Sequence, residues 1–211
     1  MNSVDVPLMG VYFIGVLFSL SVHEAAHGLM GHWCGDDTAK MLGRITLNPL
    51  KHIDPLGTVV VPVVMMFLAG FPFGWAKPVP FNPRNLTNAR LDPVKIAMAG
   101  PASNVLLGLL LIVVARISFL FFGGIDNTPE LFFGAFTLIV LLNFSLAIFN
   151  LIPVPPLDGH YVLNYFLPPE GQRLMYQLGP FGILIALVVS RPLFAHVMPP
   201  LLHFLAVAFG V

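Results

Sequence analysis

The chain has 211 residues, 57% of them hydrophobic and only 9% charged, with a formal net charge of zero and a mean hydropathy of +0.87. A soluble domain carries about 25% charged residues, and so little polar surface cannot cover this much apolar side chain in water. The composition points to the bilayer as solvent and excludes a nucleic-acid partner, because no basic tract is present.

Cys34 is the single cysteine, which rules out an intramolecular disulfide. No Lys or Arg precedes the apolar run at 8–22, so a cleaved signal peptide is not expected. The length suits one membrane-embedded domain over 1–211, with a core at about 8–168 and further membrane segments at about 175–211.

Five apolar stretches follow in order: 8–33, 58–73, 96–122, 131–152 and 175–211. A spanning helix needs about 20 apolar residues, which the first, third and fourth provide. The second is short and holds Pro62, Gly70, Pro72 and Gly74. The fifth is interrupted by Ser190-Arg191-Pro192 and Pro199-Pro200, and reads as one span plus a half-span. The expected fold is an all-α polytopic membrane protein. It has about 4–6 transmembrane helices and a re-entrant or short strand-containing segment between the first two core helices.

Charge placement gives a topology. Lys40, Arg44 and Lys51 lie in one loop, and Lys77, Arg84, Arg90 and Lys95 in another, seven of the ten basic residues. Basic loops stay in the cytoplasm. A re-entrant stretch at 58–73 keeps both loops there. The N-terminus and the acidic turn at 123–130 then lie outside, and Asp158 near the cytoplasmic face.

The first chemical motif is His23-Glu24-Ala25-Ala26-His27. Residues four apart share one helix face, so His23 and His27 can bind one metal ion. Glu24 sits close enough to take a proton from water held there. Zinc suits this chemistry because its catalytic sites keep a position open. Ionisable groups inside an apolar helix are costly and mark function; the plainer alternative is a polar helix end near His32, Asp36 and Asp37.

A catalytic zinc site takes a third ligand. In Asn150 to Gly159, Pro153, Pro155 and Pro156 stop the fourth apolar helix, and the unwound chain can aim Asp158 sideways. Asp158 is either that ligand or the N-cap of a short helix through about Phe166; the roles are compatible. Asn150 either donates to a substrate carbonyl or developing oxyanion or bridges helices. In Ala99-Gly100-Pro101-Ala102-Ser103-Asn104 the small residues permit close helix approach, and Asn104 can also line a cavity.

Together these motifs resemble the site-2 protease family of intramembrane metalloproteases. His-Glu-Ala-Ala-His-Gly at 23–28 is similar to its first motif, Gly100 to Asn104 to its central one, and Phe149 to Pro153 with Pro156 to Gly159 to its third. The segments 43–57 and 75–80 also resemble compact prokaryotic members. The resemblance implies a three-helix core holding one Zn2+ per chain through His23, His27 and Asp158, with Glu24 activating water, Asn150 assisting at the carbonyl and Asn104 in a further role. It implies cleavage within a transmembrane protein or signal-peptide remnant, in a prokaryotic cell membrane, with the site toward the cytoplasm. Larger members carry a PDZ-like module, for which this chain has no room. His160 follows the third motif where members often carry glycine or arginine.

Two other classes compete. A membrane metal transporter would also use intramembrane His and Asp, but would spread polar groups along a path. A structural membrane protein would not need Glu24 as a base. For the re-entrant segment 58–73 or the strand-like segment 75–81 the expectation is pairing with an extended substrate.

Overall fold

In the computed structural model the described residues are 5–61, 63, 64, 67, 74 and 76–210. Among them are α1 (Asp5–Trp33), α2 (Thr38–Met41), α3 (Asp92–Phe121), α4 (Glu130–Asn150), α5 (Gly159–Phe166), α6 (Pro169–Leu178) and α7 (Gly182–Phe209). Four are long and apolar enough to cross a membrane, over Gly10–Trp33, Asp92–Phe121, Glu130–Asn150 and Gly182–Phe209. The protein is an all-α polytopic integral membrane protein. No strand forms among the described residues; 76–82 is non-helical chain. Much of the stretch expected to re-enter, at 62, 65–66 and 68–73, lies outside the described residues. Before it, Pro55–Val60 forms a π-helical turn whose N-cap Asp54 accepts from Leu56 and Gly57 N–H.

The prolines of the fifth apolar stretch do not break it: α7 runs through Pro192, Pro199 and Pro200. Proline removes one helical hydrogen bond and destabilises a helix in water by about 3 kcal/mol. In an apolar setting an unwound chain has no water to bond, so the helix remains the cheaper state. At about 1.5 Å per residue, 28 residues reach about 42 Å, more than the bilayer core needs.

The residues pack as two compact units, Leu17–Gly100 and Met1–Val16 with Pro101–Val211. In the second, Ile112, Ala115 and Phe119 of α3, Val140 of α4, and Leu205 and Phe209 of α7 form a buried core. Arg116 closes it by donating from Nη1 to the Phe209 carbonyl at 2.7 Å, a cation at a helix C-terminus. α7 ends on Gly210, whose φ of +84° is the left-handed stop that glycine adopts without strain.

In the first unit, Asp36 ties the end of α1 to the loops. Its carboxylate is 1% exposed and accepts from Thr38 Oγ1 at 2.6 Å, Asn82 N–H at 2.7 Å and Asn85 Nδ2 at 2.8 Å. Arg44, buried, donates to the carbonyls of Lys51, Lys77 and Pro78. Lys77 N–H bonds the His52 carbonyl at 2.8 Å. These bonds hold 77–79 in one place.

Candidate metal centre

His23 and His27 lie one helical turn apart on α1, well inside its apolar span, and both are buried. Their Nε2 atoms converge to 3.0 Å, with the rings 86° apart. His27 Nδ1 lies 2.6 Å from the Ile96 carbonyl on α3. A carbonyl only accepts, so Nδ1 carries the proton and Nε2 presents its lone pair. Such an orienting bond from the far ring nitrogen is the usual companion of a metal-ligating imidazole.

One turn beyond Ile96, Gly100 faces both rings. A Cβ there would stand 2.4 Å from His27 Nε2 and 2.6 Å from His23 Cε1, so only glycine leaves room for the imidazole pair. Glu24, the next residue on α1, is half-buried. Its Oε2 accepts the Val79 N–H at 2.8 Å, from the segment that Arg44 holds.

The other unit carries the remaining residues. Asn104 and Asn143 are fully buried, and Asn104 Nδ2 donates to Asn143 Oδ1 at 2.9 Å. Asn143 Nδ2 donates back to the Ile139 carbonyl at 2.8 Å. Asn104 thereby joins α3 to α4. Asn150, two turns after Asn143, donates from Nδ2 to the Leu146 carbonyl at 2.9 Å. An amide nitrogen has a second N–H to offer.

α4 stops where the prolines expected to stop it begin, and α5 starts after Asp158. Asp158 occupies the N-cap position of α5, but its side chain makes no capping hydrogen bond. The helix-cap alternative is therefore not realised. Its Oδ2 is shielded from solvent. Gly159 permits the sharp return: a Cβ there would sit 2.3 Å from the Leu151 carbonyl oxygen. His160 donates from Nδ1 to the Leu157 carbonyl at 2.6 Å, and burial draws its imidazole below the ordinary value against the opposing pull of that bond and of Asp158.

Comparison with known proteins agrees with this chemistry. Residues 125–189, which include Asn150 and Asp158, match the profile of Peptidase family M50. YwhC of Bacillus subtilis, provisionally named a zinc metalloprotease, is 37% identical over 201 residues, covering 93% of this chain and 87% of its own. Rip2 of Mycolicibacterium smegmatis, named in the same terms, is 30% identical over 86% of this chain and 68% of its own. Rip2 of Mycobacterium tuberculosis is 29% identical over 83% and 64%. No solved structure matches the chain. The chain belongs to Peptidase family M50, the site-2 protease family, and is a zinc metalloprotease.

The His23–His27 pair fits zinc. Two nitrogens each about 2.0–2.1 Å from one tetrahedral ion lie about 3.3 Å apart, close to the 3.0 Å seen here. Three contributors escaped the sequence reading: the Ile96 carbonyl, the Val79 N–H and Asn143. Two are backbone groups, which no residue type signals. Asn143 carried a signal, a carboxamide in an apolar helix seven residues before Asn150.

Proposed function

We propose that the protein is an intramembrane endopeptidase that hydrolyses a peptide bond within or near a transmembrane segment of its substrate. The observation that carries this is the convergence of His23 and His27 Nε2 inside a helix apolar enough to span the bilayer. Buried imidazoles at that depth are costly unless they serve a site.

In this reading His23, His27 and Asp158 hold one zinc per chain. His27 is fixed in the ligating tautomer by Ile96. Asp158 is a carboxylate not spent on capping α5. Zinc, when bound, supplies Lewis acidity that makes water acidic near neutral pH and polarises a carbonyl. Glu24 is the base: it accepts a proton from the attacking water and returns it to the leaving amine. The Val79 N–H holds one carboxylate oxygen, which leaves the other for that proton. Asn150 offers its remaining N–H to the carbonyl oxygen as charge develops there. Asn104 acts at one remove, through Asn143 on α4.

The substrate class is a transmembrane protein or signal-peptide remnant, in a prokaryotic cell membrane. The N-terminus lies outside and the site toward the cytoplasm, as the basic loops require. Residues 1–211 act as one membrane-embedded protease domain.

The test is cleavage of a tagged model transmembrane substrate by purified wild type and Glu24→Gln, with zinc measured in both. The expected result is one zinc per chain in each and cleavage by wild type alone. Absence of zinc from wild type after mild purification and reconstitution would overturn the reading.

A further inference from the structure

The buried face of α5 carries polar groups that the mechanism above leaves unused. Gly159, His160 and Asn164 are its buried residues, and His160 and Asn164, four apart, share one side of the helix. Asn164 is 8% exposed, yet among the described residues neither its Nδ2 nor its Oδ1 has a hydrogen-bond partner. Capping does not explain it. The end of α5 is closed by Gln172 of α6, whose Nε2 donates to the Asn164 and Leu167 carbonyls at 3.0 and 3.1 Å.

A buried carboxamide with both functions unmet destabilises the fold through each group left without a partner. Leucine would fill a similar volume without that cost. The carboxamide therefore suits a ligand that both donates and accepts. His160 adds an acceptor: with Nδ1–H given to the Leu157 carbonyl, its Nε2 holds a lone pair. A donor, two acceptors and burial are the setting in which proteins hold ordered water with two to four partners.

We propose that Asn164 and His160 bind ordered water on the buried face of α5 and relay it toward Asp158 as the supply for hydrolysis. Six residues at about 1.5 Å each place Asn164 about 9 Å along the helix from Asp158, with His160 between. The inference rests on Asp158 belonging to the reaction centre. Each peptide bond cleaved consumes one water. Its oxygen and one hydrogen end in the new carboxyl group, and its other hydrogen on the released amine. The lipid around a membrane-embedded site offers no such supply.

The experiment is hydroxyl-radical footprinting of the full chain in lipid nanodiscs, with X-ray radiolysis after rapid mixing into 18O water. His160 and Tyr161, whose rings lie 4.0 Å apart, are the reporters. Wild type should be labelled at both, with 18O incorporation lagging behind exposed residues. Asn164→Leu should largely lose the label, and Asn164→Ser, which keeps a donor and an acceptor, should retain it. No label in wild type, or equal label in the leucine variant, overturns the proposal. In a cleavage assay Asn164→Leu should lower kcat about tenfold, the loss of about one hydrogen bond. KM, zinc content and melting temperature should hold, and serine should restore the rate. Label lost with kcat unchanged overturns the supply role. Because labelling is read without turnover, these outcomes are separate from those of Glu24→Gln.

Discussion

The Val79 N–H donates to Glu24 Oε2 at 2.8 Å, joining residues 55 positions apart through a backbone group between two prolines. The bond depends on Arg44, which holds the Lys77 and Pro78 carbonyls and so fixes where Val79 points. Val79→Pro removes that N–H, and also fixes φ and replaces the valine side chain. It should lower cleavage by about tenfold, the effect of losing one charge-assisted hydrogen bond, while zinc content stays at the wild-type level. Cleavage at the wild-type rate would show that Glu24 needs no such partner.

Gly100 offers a test of the metal centre that leaves every candidate ligand in place. In an open helix Gly→Ala stabilises by about 0.5–1 kcal/mol. Here the added Cβ would meet His27 Nε2 at 2.4 Å, and the clash is with ring atoms held by Ile96. Gly100→Ala should therefore bind zinc at least about tenfold more weakly, as disturbed support around metal ligands does, without loss of helix content. Competition with a chromophoric chelator reads the affinity directly. Unchanged zinc affinity would mean that the histidine rings can step aside.

How much of this was legible follows from which groups have a letter in the sequence. The spanning helices are legible because a bilayer demands long apolar runs. The histidine pair is legible because the four-residue spacing puts both rings on one face. Asp158 reads from the sequence as ligand, cap or both, and its side chain makes no capping hydrogen bond. Arg44, by contrast, reads as a charge that sets topology, yet it is buried and bonded to three carbonyls. Carbonyls and N–H groups are the same at every position, so the partners of Arg44, His27 and Glu24 cannot be read from residue types. The prolines of α7 read as breaks because the rule against them is calibrated in water.

Asn104 and Asn143 should behave as a unit. Asn104→Leu leaves Asn143 Oδ1 without that donor in a fully buried place, and should cost about 0.5–2 kcal/mol. The double variant Asn104→Leu, Asn143→Leu should recover part of that, since both polar groups leave together. Reversible unfolding in mixed micelles across the four proteins gives the coupling. Additive losses would show that the hydrogen bond contributes nothing beyond its separate residues.

Acid should weaken the hold of Asp36 on the loops. Burial raises the pKa of its carboxyl, but the hydrogen bonds from Thr38, Asn85 and Asn82 outweigh this, so it lies below the ordinary 3.8. A carboxyl whose folded pKa is depressed stabilises the fold fully above the unfolded value. That contribution is lost as pH falls through the folded value. Stability should thus be level in this respect above about pH 5 and fall below about pH 4. Asn in place of Asp36 keeps one acceptor but cannot ionise. Asp36→Asn should be less stable than wild type at neutral pH, and the gap should narrow as pH falls below about 4. Melting temperatures of both proteins from pH 3 to 7 in one detergent decide it. A gap that stays constant across that range would mean that the Asp36 charge, as distinct from its shape, contributes nothing to holding the loops on α1.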